Sequence, residues 1–191
     1  MKVITGTARG RRLQAPAGQA ARPTCSMVKE AIFSVIQFEV EGARVLDLFA
    51  GSGQMGIEAL SRGARECAFV DNNRESLNAL RKNLEHTGPW KNVKVVTSES
   101  LSFLRGLKEE VFDIVFLDPP YSAGLIDKCL RLLEGHVSEG GVIICEMHGK
   151  DPPPLEVSAF FLKKSYRYGQ TRVLHYRAVD NYTLSTGHTG R

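Results

Sequence analysis

The sequence predicts an α/β fold with a doubly wound, Rossmann-like sheet that is mostly parallel, a C-terminal antiparallel hairpin and a small basic N-terminal extension. Three observations predict it. Short apolar runs alternate with stretches of helical periodicity from residue 44 to residue 147, a pattern that builds a parallel sheet covered by helices on both faces. The turn Ala50-Gly51-Ser52-Gly53 joins the first of these runs to the first helix that follows. Beyond Asp151-Pro152-Pro153-Pro154 only extended runs remain.

In order along the chain, Val3 to Pro16 holds two short extended runs about Gly6-Thr7-Ala8-Arg9-Gly10, a hairpin-like arm. Ser26 caps a helix to about Phe38, with Val28, Ala31, Ile32, Val35 and Ile36 at helical spacing. Strands are expected at Arg44 to Phe49, Glu66 to Asp71, Val93 to Thr97, Phe112 to Leu117 and Val142 to Met147. Helices fit between them at Met55 to Arg62, Arg74 to Thr87, Ser100 to Leu107 and Leu125 to Leu133, the first two closed by Gly63 and by Gly88-Pro89. Val157 to Lys164 and Arg172 to Ala178 read as the hairpin. The expected division is residues 1–40 for the basic arm and helix, 41–179 for the main domain, and 180–191 for a polar tail without fixed structure.

At 191 residues, 42% hydrophobic and 24% charged, the chain has the size and composition of one globular domain. Its apolar runs are too short to span a bilayer and Met1 to Gly6 does not read as a signal peptide, so a cytoplasmic protein is expected. Cys25, Cys67, Cys129 and Cys145 have no Cys-x-x-Cys spacing and the five histidines are scattered, which predicts neither disulfides nor a metal. Charge is unevenly placed. Residues 1–30 carry +5, residues 163–177 another +5 and residues 31–162 carry −6. A basic head and tail around an acidic body suit a rim that grips a polyanion.

Gly51-x-Gly53-x-x-Gly56 after a strand, with Asp71 ending the next strand 20 residues after Gly51, matches the dinucleotide fingerprint, in which the acid binds ribose hydroxyls. Three features favour S-adenosylmethionine instead. Asp47, near the end of the first strand, suits the ammonium of a methionine moiety better than a pyrophosphate. Glu99, followed by Ser100, can accept from an adenine amine. Asp118-Pro119-Pro120-Tyr121 follows the fourth strand, where a methyl acceptor should lie. Each acid also suits a helix cap or loop, but consecutive strand ends converge on one crevice.

The tetrapeptide has its own chemical logic. The lone pair of an exocyclic amine on a nucleobase is delocalised into the ring, so the nitrogen must be drawn out of conjugation as it reacts. The Asp118 carboxylate and a carbonyl in the Pro119-Pro120 turn can each accept one amine hydrogen. Proline fixes the backbone and offers no N–H, and Tyr121 would stack on the base. Such a pocket takes an unpaired or flipped-out base.

The chain resembles the bacterial 16S ribosomal RNA guanine-N2 methyltransferases over residues 2 to 178. The resemblance rests on Ile4-Thr-Gly-Thr-Ala-Arg9-Gly-Arg11-Arg12-Leu13, Arg22-Pro23-Thr24 before Val28 to Phe33, Val45 to Gly53 with Gly56 to Gly63, Asp118 to Tyr121, and Tyr168-Gly169-Gln170-Thr171. It implies a Rossmann-like class I methyltransferase using S-adenosylmethionine on the N2 amine of a guanine in small-subunit ribosomal RNA, naked or in a partly assembled subunit. Asp118, Pro119, Pro120 and Tyr121 would hold the base. Asp47, Gly51, Gly53, Asp71, Glu99 and Ser100 would hold the cofactor, and Arg9, Arg11, Arg12 and Arg22 the RNA. Ser26-Met27 stands where the family commonly has Asp-Arg, and no role is carried to those two residues. The rival readings are a DNA adenine-N6 methyltransferase, for which no stretch is long enough to read sequence in the major groove, a nucleotide-binding oxidoreductase, and an RNA-binding assembly factor without turnover.

Overall fold

The computed structural model describes residues 1–16, 26–120, 124–154, 156–157 and 159–179. Arg22, Tyr121, Cys25 and the 180–191 tail lie outside the described residues.

The elements run α1 (Ser26–Val35), β1 (Arg44–Leu48), α2 (Gln54–Ser61), β2 (Glu66–Asp71), α3 (Arg74–Thr87), β3 (Val93–Thr97), α4 (Ser100–Arg105), β4 (Phe112–Leu117), α5 (Leu125–Leu132), β5 (Val137–His148), β6 (Glu156–Val157), β7 (Phe160–Tyr168) and β8 (Thr171–Ala178). They form an eight-stranded sheet in the order β3-β2-β1-β4-β5-β8-β7-β6. The pairs among β1 to β5 are parallel, and β6, β7 and β8 join antiparallel at the β5 edge. The chain winds outward from β1 to β3, returns, and continues from β4 in the other direction. That reversal places the switch point, and hence a ligand crevice, at the carboxyl ends of β1 and β4.

Strand alternation divides the core between the two faces. Val45, Phe69, Ile114, Phe116, Val142 and Ile144 pack with the apolar sides of α1, α2 and α3. Leu46, Leu48, Val70, Val115, Leu117, Ile143 and Cys145 pack with α4 and α5. Cys67, Cys129 and Cys145 are buried free thiols.

The boundaries differ from the sequence expectation at informative places. α1 stops at Val35 because Ile36 and Val40 turn into the core while Phe38 is 90% exposed and cannot extend the helical stripe. β5 begins five residues early, at Val137. Gly140 and Gly141 break the apolar alternation, yet the strand continues through an irregularity that shifts its pairing with β4 between Phe112 and Ile114. β7 runs on to Tyr168, since the charged segment Lys163 to Arg167 pairs with β8 while facing solvent, as suits a strand near a sheet edge. Val157 belongs to a separate two-residue edge strand, β6.

The basic arm is hairpin-like, with Lys2 bridged to Arg12 and Val3 N donating to Arg11 O. It is fastened to the sheet's helices throughout. Val3, Ala8 and Leu13 are buried in the α1–α3 side of the core. Ile4 N and Thr5 N donate to Glu58 at 2.8 and 3.0 Å, Ala8 N donates to Ser61 Oγ at 2.9 Å, and Gln14 N donates to Asn83 Oδ1 at 2.8 Å. At Gly6, with φ 85°, the backbone crosses so close to Ser61 that a Cβ would fall 1.6 Å from its carbonyl oxygen. Only glycine permits that crossing.

Candidate active site

A cavity of about 870 Å³ opens at the switch point and is lined from the ends of β1, β2, β3, β4 and β5. Its floor is the turn after β1. Phe49 adopts φ 70°, an uncommon conformation for a bulky non-glycine residue, and Gly51 and Gly53 follow at φ 53° and 78°. Phe49 N and Ala50 N both donate to Val70 O, at 3.1 and 3.0 Å, which bends the chain off β1 toward β2. A Cβ on Gly51 would meet no protein atom within 4 Å, so that face of the turn is open to an incoming group. Gly53 and Gly56 instead pack tightly, against Leu80 and against Phe69 and Cys67.

Asp71 ends β2 and locks this turn. Its Oδ2 accepts from Gly51 N at 2.8 Å and its Oδ1 from Asn73 N at 2.8 Å. Each carboxylate oxygen keeps a second lone pair for a ribose hydroxyl. Asn83 steadies the opposite side, donating to Ser52 O at 2.9 Å and to Gln14 O at 3.0 Å, so the base of the arm and the glycine turn share one side chain.

Asp47 is 4% exposed and accepts from Gly56 N at 2.9 Å. Burial, and secondarily the charges of Asp118 and Asp71, push its carboxyl up to about 7, against the hydrogen bond from Gly56. A raised carboxyl costs folding stability as it ionises. Its favourable contribution is complete below its ordinary value of 3.8 and is lost as pH rises through about 7. Asp47→Asn should therefore remove a loss on the order of 3 kcal/mol that the native chain suffers between pH 5 and pH 8. His175, lowered to about 4 by burial and by Arg177 and Lys163, has the opposite slope below its ordinary 6.5. The two chains must for that reason be compared at each pH by urea unfolding. Parallel pH profiles would show that Asp47 ionises freely in the fold.

Glu99 lies exposed at the cavity rim and is the N-cap of α4, its two oxygens accepting from Leu101 N at 3.1 Å and Ser102 N at 2.7 Å. Those hydrogen bonds hold its carboxyl below the ordinary range. The cap thus fixes the orientation of a charged acceptor at the rim, with Ser100 buried behind it. Asp118 projects into the cavity at the end of β4, followed by buried Pro119 and exposed Pro120, both lining the wall.

The structure therefore brings Asp47, Gly51, Asp71, Glu99, Ser100, Asp118, Pro119 and Pro120 to one cavity, whereas Gly53, between the lining residues Ser52 and Gln54, packs against Leu80 and is not part of the lining. Arg9, Arg11 and Arg12 are exposed on the arm, outside that cavity. Arg11 also donates to His86 O near the end of α3. The sequence reading missed Phe49, Glu146 and Tyr168, which line the cavity too. Glu146 was hidden because it sits within the apolar run Val142 to Met147, where only its charge marks it out.

An open glycine turn, an acid on the neighbouring strand and an Asp-Pro-Pro turn across the crevice define a methyltransferase of the doubly wound α/β class. Within that class the chain belongs to the Conserved hypothetical protein 95 family, whose sequence profile matches residues 1–177. Ribosomal RNA small subunit methyltransferase D of Escherichia coli K12 is 35% identical over 172 residues, covering 89% of this chain and 86% of the relative. The protein of the same name from Haemophilus influenzae is 33% identical over 184 residues, covering 95% and 94%. Among solved structures, yhhF of Escherichia coli superposes with a TM-score of 0.83 at 33% identity, covering 93% of this chain and 97% of that one.

Proposed function

We propose that this protein transfers a methyl group from S-adenosylmethionine to the exocyclic N2 amine of a guanine in small-subunit (16S) ribosomal RNA, naked or within a partly assembled subunit, in the cytoplasm. The observation that carries the reading is the meeting of the Asp118-Pro119-Pro120 turn with the Gly51 turn and Asp71 in one cavity.

The residues fit the cofactor. The open side of Gly51 admits a close approach, Asp71 has lone pairs for ribose hydroxyls, buried Asp47 offers a counter-charge for an ammonium group, and Glu99 offers an acceptor for an adenine amine. When bound, S-adenosylmethionine would supply an electrophilic methyl and leave as a neutral thioether; the methylated nitrogen is then cationic and acidic, so its extra proton passes to the Asp118 carboxylate or to water without a strong base. Asp118 and the proline-turn carbonyl accept the two amine hydrogens and favour a pyramidal nitrogen, an interaction that strengthens toward the transition state. Tyr121 is assigned to stacking on the base.

The RNA assignment draws on the arm and on the relatives named as ribosomal RNA methyltransferases. Arg9, Arg11 and Arg12 are exposed along the arm, and Arg22 is assigned the same role toward RNA. If these guanidiniums meet phosphates, changing Arg9, Arg11 and Arg12 to Ala should weaken RNA binding for every sequence and lower the salt slope by about 2 to 3. The arm's ends, Met1 and Pro16, line the cavity, whereas its arginines do not, so cofactor affinity should hold. RNA titration at several salt concentrations beside cofactor calorimetry tests both; an unchanged slope would remove the arm from the RNA interface.

The function itself is tested by incubating the protein with methyl-labelled S-adenosylmethionine and small-subunit particles, naked rRNA or duplex DNA. Label should enter the ribosomal RNA. Label in DNA, or in none of the three, would overturn the proposal.

A further inference from the structure

Glu146 has no part in the chemistry described so far. It lies on β5, with β4 on one side and β8 on the other, and is 7% exposed. Placing a carboxylate that deep is costly. Its neighbours Cys145 and Met147 point into the α4–α5 side of the core, so Glu146 points to the opposite face, where it lines the cavity with Asp47 and Asp118. Leu117 of β4 is paired with Cys145 of β5. Asp118 and Glu146 are therefore the next residues along two adjacent strands, whose separation is about 4.8 Å. A second cavity, of about 550 Å³, adjoins the first, and Pro119, Pro120 and Glu146 line both. The acid thus stands beside the amine-holding turn, at the junction of the two spaces.

The chemistry of the bases gives that position a meaning. Three nucleobases carry an exocyclic amine, and the ring atoms beside it differ. Adenine N6 lies beside N1, an acceptor, and cytosine N4 lies beside N3, also an acceptor. Guanine N2 lies between N1–H, a donor, and N3, an acceptor, so guanine alone offers a donor on one side of its amine. A carboxylate only accepts. One carboxylate at the amine accommodates all three bases, but a second one next to it is matched by guanine and faces a lone pair in the other two.

We propose that Glu146 accepts the N1–H of the target guanine and so selects guanine over adenine and cytosine at the Asp118 site. The proposal rests on the function proposed above. A site built around a substrate N–H rejects the analogue lacking it far more strongly than a shape-only pocket does, because the buried polar group is left unmatched.

The test uses small-subunit particles reassembled with either guanosine or 2,6-diaminopurine riboside at the mapped target position. Diaminopurine keeps the 2-amine but presents N1 as an acceptor. The native enzyme should methylate guanine at least about 100-fold better in kcat/KM. Glu146→Gln, whose amide can donate to N1, should shrink that preference by about tenfold or more, with S-adenosylmethionine affinity by calorimetry unchanged. Equal losses on both bases, or an unchanged preference, would assign Glu146 to structure and overturn this inference alone. A native preference below about threefold overturns it without any variant. If the native enzyme instead labels adenine, the function proposed above falls and this inference falls with it.

Discussion

Asp118→Ala should abolish most methyl transfer while leaving the fold and cofactor affinity close to native. The side chain ends a strand and projects into the cavity from an exposed position, so its removal opens no core void. Its acceptor role is exercised chiefly as the amine pyramidalises, and an interaction made in the transition state is lost from kcat, not from ground-state binding. Removing one preorganised hydrogen-bonding group of this kind costs about 2 to 4 kcal/mol in the barrier, or about 30- to 1,000-fold in rate. Asp118→Asn, which keeps one acceptor oxygen, should retain more activity than the alanine. Single-turnover rates at saturating cofactor, with calorimetry of cofactor binding, measure both quantities. Near-native turnover in Asp118→Ala would rule out the proposed role of the carboxylate.

The largest effect on stability is expected at Glu58. It is fully buried on α2 and accepts from Ile4 N and Thr5 N of the arm. Its carboxylate also pairs with Lys29 Nζ of α1 at 3.0 Å and with Arg62 Nε at 2.9 Å. Lys29 is itself 1% exposed, donates to Lys2 O at 2.8 Å, and has its ammonium pushed below its ordinary range by burial despite Glu58. Arg62 lies over the Phe33 ring, 4.7 Å from its centroid. Glu58→Ala leaves a buried ammonium and two backbone donors without their acceptor, and breaking a buried pair by removing one partner costs about 3 to 5 kcal/mol. The arm should loosen first, so amide exchange at Ile4 and Thr5 should accelerate and RNA binding should weaken. Glu58→Leu combined with Lys29→Met should recover the part of the loss due to the stranded ammonium, because two apolar side chains can replace a buried pair, but not the part due to Ile4 N and Thr5 N. Urea unfolding of the single and double variants decides it: a loss below about 1 kcal/mol in Glu58→Ala would mean that the network contributes little to holding the arm.

What the sequence made legible was the part governed by periodicity and punctuation. β2, α3, β3 and β4 fall within the residues expected for them, since each is a regular run bounded by turn residues. The carboxyl-end convergence of Asp47, Asp71, Glu99 and Asp118 followed from the alternation of strands with helices, which makes the sheet parallel. Features depending on three-dimensional context were not legible. Phe49 reads as the last residue of a strand but takes a left-handed conformation to bend the turn toward β2. Nothing in the sequence marks Glu58, yet α2 is buried from Met55 to Ser61 because the arm covers its outer side. The arm reads as a hairpin-like basic extension, but its packing as a layer whose ends reach the cavity was not legible. Glu99 is a helix cap that also lines the cavity, so the cap reading does not displace the cofactor reading.

The central claim is methylation of guanine at N2 in small-subunit RNA. Its most direct test is to digest small-subunit RNA to nucleosides after reaction with the protein and S-adenosylmethionine and to identify the methylated nucleoside by mass spectrometry against standards. N2-methylguanosine is expected, formed by the native chain and lost with Asp118→Ala. N6-methyladenosine, or a methylated nucleoside whose yield is the same in Asp118→Ala, would contradict it.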